Sequence, residues 1–517
     1  MQKIRPGITF GIVGGLLTFI FGGWSVIVLG VLMGIGLSLS IAHDLKRETP
    51  FKTAMHALPA ALVSGAILLV LSLLQNYVIN PAIGRYPADP SVVIPANLVG
   101  VLGGILFALV TTGLHGLSEK QENTGKLILL AFIVIAFPFV DNLTGLRWVA
   151  QIIFALIFVI LGMGLNIVVG YAGLLDLGYA AFFAIGAYTT GILSSPQDNI
   201  YLNFWLVVWI AAAMAAMFGI LLGAPTLRLR GDYLAIVTLG FGEIIPVVFR
   251  NLTDITIKEP LTCWIIPGLQ HLIGATSTVA CKVFTQDFNL TNGELGINPI
   301  GRPSLPFIGG FTSDKPIPWY FLIIGIILLS IFLINRLRES RLGRAWMAIR
   351  EDELAAAQMG IDPVHTKLLA FSMGATFSGF AGAFYASYIA GIFPGVFEFS
   401  TSIIILCTVI LGGMGNIYGV IVGGLTIMTA DRLFLPALKD FMQGLLNHTV
   451  LPALASNHAL HDAVAQNTNP ILYRYLLFGL TLVIMMAVRP EGLIPSAQRR
   501  LELHSGEETA GGSTTAK

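Results

Sequence analysis

The chain has 517 residues, of which 55% are hydrophobic and only 11% are charged. Soluble domains are about 45–50% apolar and about 25% charged, so this composition, with a mean hydropathy of +0.81, excludes an ordinary soluble protein. The formal net charge of +1 gives no indication of a nucleic-acid partner. The sequence predicts an all-α integral membrane protein, a polytopic helical bundle.

Long apolar runs follow one another along the chain, and several approach the roughly 20 residues that cross a bilayer. They lie at about 8–41, 54–74, 93–117, 127–140, 148–193, 204–224, 233–249, 319–335, 367–391, 400–430 and 471–488. The run 148–193 is too long for one span and is interrupted at Gly170–Gly173. We expect about 10–14 transmembrane helices, some of them short or broken at glycines.

The distribution of Lys and Arg assigns the connectors to sides of the membrane. Basic connectors, predicted to be cytoplasmic, lie around residues 46–52, 120–126, 228–230, 336–350 and 489–500. Connectors poor in Lys and Arg for their length, predicted to be outside, are 75–92, 194–203, 250–318, 392–399 and 431–470. Both termini are then cytoplasmic. The runs 8–41 and 400–430 begin and end on one side, so each must cross twice or re-enter; Gly22–Gly23 and the glycines of 411–419 offer the turning points.

The basic connector at 336–366 contains a helix-prone segment. Good helix formers predict a helix from Leu342 to Met359, and Gly360 and Pro363 predict its end. A structured insert of this kind favours a docking surface for a cytoplasmic partner, with a solvated loop as the alternative. The residues expected to couple to that partner are Arg350, Glu351, Glu353, Ala355, Ala356 and Gly360.

A few polar side chains stand inside or beside the apolar runs, where ionisable groups are costly and usually face protein or water. The candidates for a translocation path are Asn166, Tyr171, Asp176, Glu243 and Asn416. Asp176 could contact a substrate ammonium or hydroxyl group, or could bond the backbone at the helix break; both interpretations stay open. For Glu243, Asn166 and Asn416 a structural role in helix packing is the alternative.

The sequence has no phosphate-binding G-x-x-x-x-G-K-[ST] motif, no nucleophile elbow and no H-E-x-x-H motif. It also has no Cys and His spacing typical of a metal site, and it implies no cofactor. We therefore expect a transport protein that is not an enzyme. Its energy must come from another subunit or from an ion gradient.

Five stretches resemble the branched-chain amino-acid permease family of bacterial ABC importers. Glu353-Leu-Ala-Ala-Ala-Gln-Met-Gly360 resembles its cytoplasmic coupling loop, and Gly164–Tyr188 resembles its signature double span. The other three stretches are Leu227–Ile244, Leu290–Ile297 and Arg489–Ile494. The family commonly has Gln, Ser and His where this chain has Leu174, Asp176 and Tyr179, a difference that bears on the solute more than on the mechanism.

The resemblance implies a permease subunit in the bacterial inner membrane that carries branched-chain or other neutral amino acids. It implies a second permease, with a paralogue favoured, two cytoplasmic ATP-binding subunits, an extracytoplasmic solute-binding protein and membrane lipid as partners. Urea or short amides are alternative solutes. An ion-coupled secondary transporter is a further alternative, and an integral membrane enzyme or scaffold is the third.

The predicted organisation follows from these assignments. Residues 1–140 form extra N-terminal spans, 148–495 the permease core, and 496–517 a disordered tail. The extracytoplasmic loop 250–318 resembles the family's loop except for an insertion at about 254–289. Cys263 and Cys281 lie in that insertion and could pair in an oxidising compartment, and free thiols are the alternative.

Overall fold

A computed structural model shows a helical protein and describes residues 5–21, 24–42, 49–82, 90–195, 202–226, 232–253, 289–305, 309–453 and 469–495. Four predicted features lie outside the described residues. They are the possible pair Cys263–Cys281, the insertion at 254–289 apart from its last residue, the turning point Gly22–Gly23 and the tail 496–517. The chain divides into two compact units. The first contains residues 1–151 and 429–476, and the second contains residues 152–428 and 477–517.

The helices of the first part of the chain are α1 (Arg5–Phe21), α2 (Ser25–Ala42), α3 (Pro50–Leu74), α4 (Asn80–Ala82), α5 (Pro90–Leu114) and α6 (Glu119–Thr144). The following helices are α7 (Trp148–Asn166), α8 (Ala180–Ser194), α9 (Phe204–Thr226), α10 (Asp232–Asn251), α11 (Pro316–Glu339), α12 (Arg341–Glu351), α13 (Glu353–Gln358), α14 (Pro363–Ile389), α15 (Phe399–Gly412), α16 (Ile417–Thr429), α17 (Leu435–Leu445), α18 (Leu451–Ala453) and α19 (Arg474–Val488).

Short irregular helices join or extend several of these. The π-helical segments are Gln75–Ile79, Ile167–Tyr171, Ala430–Phe434 and Leu446–Val450, and the 3₁₀ turns are Gly293–Leu295, Pro394–Phe397 and Pro470–Tyr473. The strands of the described residues are β1 (Ser304–Leu305) and β2 (Gly309–Gly310), which pair antiparallel with Ser304 opposite Gly310. The predicted all-α fold is confirmed.

Within the described residues, ten helices are long and apolar enough to cross a membrane, and four shorter apolar helices accompany them. Helices suit this environment because their backbone N–H and C=O groups are satisfied within the segment. The chain is therefore a multi-pass membrane protein, and these helices agree with the predicted 10–14 spans. The run 8–41 forms the two helices α1 and α2, as its parity required.

Paired glycines bring α2 and α5 into backbone contact within the first unit. A Cβ on Gly104 would lie 2.7 Å from the Gly30 carbonyl oxygen, and one on Gly100 would lie 2.7 Å from the Val26 carbonyl oxygen. Gly34 faces the Gly104 carbonyl oxygen in the same way. Two G-x-x-x-G pairs thus face each other. This arrangement lets membrane helices pack closely, which matters because in lipid van der Waals packing, rather than the hydrophobic effect, drives helix association.

The second unit is built around α14, which packs against α8 and α9. A Cβ on Gly379 would lie 2.7 Å from the Ala212 Cα atom, and one on Gly186 would lie 2.6 Å from the Gly379 Cα atom. Small residues thus allow α8 and α9 to approach α14 closely on neighbouring faces. Most residues of α7 and α14 are buried, so these two helices form the core of this unit.

The predicted interruption of the long runs is confirmed. α7 and its π-helical extension end at Tyr171, Gly173 has a positive φ of 70°, and α8 begins only at Ala180. The run 400–430 forms α15 and α16, separated at Gly413 and Gly415, whose φ angles are 116° and 81°. Both glycines adopt backbone angles that L side chains rarely allow.

Replacing Gly34 by Leu should destabilise the first unit, because the added side chain would push α2 away from the Gly104 carbonyl oxygen. Overpacking a tight contact costs about 1–3 kcal/mol. The thermal unfolding midpoint of the purified protein in detergent should fall by several degrees. Gly325→Leu in α11 is the matched control, since a Cβ there meets nothing within 4 Å. Equal midpoints for the two variants would contradict the close packing of α2 and α5.

Candidate coupling and translocation site

The segment predicted as one helix from Leu342 to Met359 is two helices, α12 and α13, so that prediction is wrong in this detail. Asp352 between them has extended backbone angles, φ −153° and ψ 110°. Its carboxylate accepts hydrogen bonds from the Leu354 N–H (2.8 Å) and the Ala355 N–H (3.0 Å), which makes it the N-cap of α13. The side chain thus satisfies N–H groups that a continuous helix would have bonded to carbonyl groups.

The segment ends at Gly360, as the sequence predicts. Gly360 has a φ of 86°, and Asp362 then caps α14 by accepting from the Val364 N–H at 2.9 Å. The His365 side chain hydrogen-bonds the same carboxylate and holds the pKa of Asp362 below its ordinary value. We call residues 340–362 the coupling segment.

Two side-chain contacts fasten the coupling segment to α14. The buried Trp346 indole donates to the Thr366 carbonyl oxygen (2.8 Å), and the buried Lys367 ammonium pairs with the Glu353 carboxylate (2.7 Å). A lysine in this position needs such a partner, because a buried charge without one is strongly unfavourable. One anchor therefore holds α12 and the other holds α13.

The six predicted coupling residues divide into two groups. Glu351, Ala355 and Gly360 are exposed, whereas Ala356 is buried and Arg350 and Glu353 are partly buried and face the protein. Beside the exposed group, Leu354 and Met359 are 63% and 84% exposed. The outer surface of the segment is thus apolar at its tip, which suits contact with another protein.

Arg350 links the coupling segment to the break after α7. Its Nη1 donates to the Gly170 carbonyl oxygen at 2.5 Å, and a Cβ on Gly173 would lie 2.8 Å from the Arg350 Cγ atom. Sequence reasoning placed Arg350 on the docking surface and missed this contact. The spacing could have revealed it, since Arg350 lies four residues after Trp346 and so shares the buried face of α12.

The breaks after α7 and α15 meet at one place. The fully buried Asn166 accepts a hydrogen bond on Oδ1 from the Gly415 N–H at 2.8 Å. Asn416 donates to the Ile494 carbonyl oxygen at 3.1 Å, and the Ile494 N–H donates to the Gly412 carbonyl oxygen at 3.0 Å. Asn166 and Asn416 thus each hydrogen-bond a backbone group at these breaks.

Tyr171 lies in the same region. Its ring is buried, and its hydroxyl group has no hydrogen-bond partner among the described residues. Asn166, Tyr171 and Asn416 are thus brought together at the breaks, while Asp176 and Glu243 lie elsewhere on the second unit.

Asp176 occupies the loop between α7 and α8 and is only 1% exposed. Its Oδ1 accepts from the Gly178 N–H (2.9 Å), and the Leu177 N–H donates to the Thr238 hydroxyl (3.1 Å), which ties the loop to α10. Its Oδ2 makes no hydrogen bond within the part of the chain that is described. A cavity of about 10 Å³, lined by Asp176, Thr238, Phe182, Phe241 and Phe371 among others, lies beside it and has room for about one water molecule.

Tyr179, the third departure from the family pattern in this loop, is completely buried. Its hydroxyl donates to the Gly374 carbonyl oxygen at 2.7 Å. It also contacts the position that a Cβ on Gly164 would occupy, so Gly164 leaves the space for this hydroxyl group. The loop is closed on its other side by the Ser402 hydroxyl, which accepts from the Ala180 N–H at 2.9 Å.

Glu243 lies halfway along α10 on its exposed face. The neighbouring Gly242 packs against the Gly178 Cα atom, 2.8 Å from a Cβ built on Gly242, so the opposite face of α10 is buried. Glu243 thus follows directly after a residue that packs on the Asp176 loop, but its own side chain points away from that loop.

Sequence reasoning missed an ionic cluster at the far end of α10. Arg250 Nε lies 2.6 Å from Glu294 Oε1, and its Nη2 lies 3.8 Å from Glu398 Oε1. The Ile297 and Ile392 backbones pair antiparallel beside it. The only signal was Glu294 within the Leu290–Ile297 motif. No group of three or more potential metal ligands occurs among the described residues.

The sequence profile of the family described as the branched-chain amino acid transport system, permease component, matches residues 147–486. The chain belongs to this family. The matched residues include the coupling segment, both helix breaks and the whole of α10. As a permease component with many membrane-spanning helices, the chain is a membrane transport protein.

Individual relatives support the assignment. The high-affinity branched-chain amino acid transport system permease protein LivM of Escherichia coli K12 is 37% identical over 401 residues, which are 77% of this chain and 80% of the relative. LivM of Salmonella typhimurium LT2 is 36% identical over 402 residues, with the same coverage. The permease protein LivH of Salmonella typhimurium LT2 is 24% identical over 290 residues, 53% of this chain and 81% of the relative. No solved structure matches the chain significantly.

Replacing Asp352 by Ala should loosen α13, because its first N–H groups lose their carboxylate acceptor. Loss of an N-cap costs about 1 kcal/mol, which corresponds to about fivefold faster amide exchange by local opening. Hydrogen–deuterium exchange of peptides covering 353–359 measures the change. Glu351→Ala, an exposed neighbour, is the control, and equal protection of both variants would show that Asp352 does not define the start of α13.

Proposed function

We propose that the chain is the permease subunit of an ATP-driven ABC importer that carries branched-chain amino acids across the bacterial inner membrane. The observation that carries this proposal is the coupling segment, which is anchored to a transmembrane helix and contacts a helix break while its tip stays exposed. The names of the LivM and LivH relatives supply the solute class, branched-chain amino acids.

The coupling segment would receive movement from a cytoplasmic ATP-binding subunit. Its exposed tip, with Leu354 and Met359, would rest in a groove of that subunit together with Glu351, Ala355 and Gly360. Closure of two ATP-binding subunits on ATP would then displace the segment. Trp346 would pass the displacement to α14, and Arg350 would pass it to the break at Gly170.

The breaks are where such a displacement has the greatest effect. Hydrogen bonds hold the ends at the breaks together, among them the bond from the Gly415 N–H to Asn166. A helix interrupted in this way can change the direction of one half without disturbing the other. Asn166, Tyr171 and Asn416 would therefore control the opening of the passage, and Asp176 would contribute a carboxylate to its wall.

The partners follow from the similarities. Because the chain resembles relatives named both LivM and LivH, which belong to transport systems of the same name, we propose a paralogous second permease. A soluble binding protein would deliver the amino acid from outside. The connectors at 336–350 and 489–500 are rich in Lys and Arg, which supports a cytoplasmic position for the coupling segment and the C-terminus, and Lys3 and Arg5 support the same side for the N-terminus.

Reconstitution of the complete system in proteoliposomes tests the proposed function. Leucine uptake should require ATP inside the vesicles together with the ATP-binding subunits and the binding protein, and the purified chain alone should hydrolyse no ATP. Isoleucine and valine should compete for uptake, whereas urea should not. Uptake by the chain alone, driven by a sodium or proton gradient, would instead identify a secondary transporter.

Arg350→Gln should uncouple hydrolysis from uptake, because the neutral amide cannot reproduce the charged hydrogen bond to the Gly170 carbonyl oxygen. Loss of a charge-assisted hydrogen bond of about 1.5–3 kcal/mol should lower the number of leucine molecules imported per ATP by about tenfold or more. Arg336→Gln, an exposed cation at the end of α11, is the control. If Arg350→Gln leaves the number of leucine molecules imported per ATP unchanged, this contact does not take part in coupling.

A further inference from the structure

One face of α10 is exposed along the length of the helix, while the other packs against neighbouring segments of the second unit. The exposed residues are Tyr233, Ile236, Val237, Gly240, Glu243, Ile244, Val247 and Val248. They recur at intervals of three and four residues, so they form a single stripe. On the opposite side, Leu234, Thr238, Gly242 and Ile245 are buried. We call the exposed stripe the α10 face.

Glu243 is the acidic residue of this stripe and lies near the middle of the helix. α10 runs from Asp232 to Asn251, so Glu243 is about 12–17 Å from either end at 1.5 Å per residue. No described side chain forms an ion pair or a hydrogen bond with it. A charged group at the centre of a bilayer costs at least about 2.5–3.5 kcal/mol, so Glu243 requires water or another protein group beside it rather than lipid.

Further carboxylates occur at both ends of the same helix. At one end Glu294 and Glu398 share the single guanidinium group of Arg250, which leaves a net charge of −1 on this cluster. Towards the other end Thr238 holds the loop of Asp176. Arg250 and Thr238 are about 10 Å and about 8 Å from Glu243 along the helix axis. Acidic groups thus occur at three depths beside α10.

We propose that the α10 face is the wall of the solute passage and that Glu243 binds the ammonium group of the amino acid in transit. The inference rests on the proposed function and adds the group by which the solute is recognised. Entry past Glu294 and Glu398 would bring an ammonium group near a carboxylate before it reaches Glu243. Around Glu243 the wall is formed by Ile236, Ile244 and Val247, apolar surfaces that suit a branched aliphatic side chain.

An acidic passage would also discriminate between solutes by their charge. A 2-oxo acid that carries the same side chain but lacks the ammonium group is an anion, and it would be repelled by Glu243 and by the net negative cluster around Arg250. A neutral amide would gain nothing from Glu243. Selection for a protonated amine would therefore occur in the membrane subunit as well as in the soluble binding protein.

The test uses the complete importer in proteoliposomes, with leucine as the probe. Glu243→Gln keeps the size of the side chain and removes the charge. We expect leucine uptake to fall by about tenfold or more, equivalent to about 1.4 kcal/mol or more in the barrier. Assembly with the second permease and ATP hydrolysis stimulated by the binding protein should be unchanged. Glu243→Asp, which keeps the carboxylate, should recover a substantial part of the uptake.

Asp314→Asn, which neutralises an exposed carboxylate before α11, is the control and should transport like the unmodified protein. Unchanged uptake by Glu243→Gln would overturn the inference. Failure of both Glu243 variants to assemble with the second permease would also overturn it, because Glu243 would then bind the partner subunit. Neither result touches the proposed function, which fails only if the unmodified importer shows no ATP-dependent leucine uptake.

Discussion

The structure depends on one constraint: a backbone polar group within a membrane must find its partner inside the protein. Where α7 and α15 end at glycines, their free N–H and C=O groups are bonded by Asn166, Arg350 and the backbone of the segment after α19. Each of these partners belongs to a different part of the second unit. Interrupted helices therefore join distant segments, and this need for hydrogen bonds is what places the coupling segment beside the breaks.

Glycine has two separate uses in this chain. At Gly173, Gly360, Gly413 and Gly415 it provides positive φ angles that end or redirect a helix. At Gly34, Gly186 and Gly379 it has ordinary helical geometry and permits backbones to touch. The first use fixes where helices end or change direction, and the second fixes how closely the helices between those points pack.

Much of this arrangement could be predicted from the sequence. The lengths and parity of the apolar runs predicted the approximate number of helices, and the glycine clusters predicted the breaks. Both features depend on residues that are close together in the sequence. The division of the coupling segment at Asp352 was missed, since Asp is tolerated within helices and only its capping geometry shows the break. The contact from Arg350 to Gly170 joins residues 180 positions apart. No local pattern encodes such a pairing, and the same holds for the cluster around Arg250. Glu243 was found as an intramembrane acid, but only the structure shows that it lies on an exposed face.

The contact between Tyr179 and Gly164 has a consequence for how related chains can diverge. The phenol group occupies the space that a side chain at position 164 would need, and its hydroxyl is bonded to the Gly374 backbone. A Cβ at position 164 would also lie 2.8 Å from the Gly374 carbonyl oxygen and 2.9 Å from the Phe377 Cβ atom, so a smaller residue at position 179 would not by itself make room for it. Position 164 is thus expected to remain glycine in related chains even where position 179 is not tyrosine.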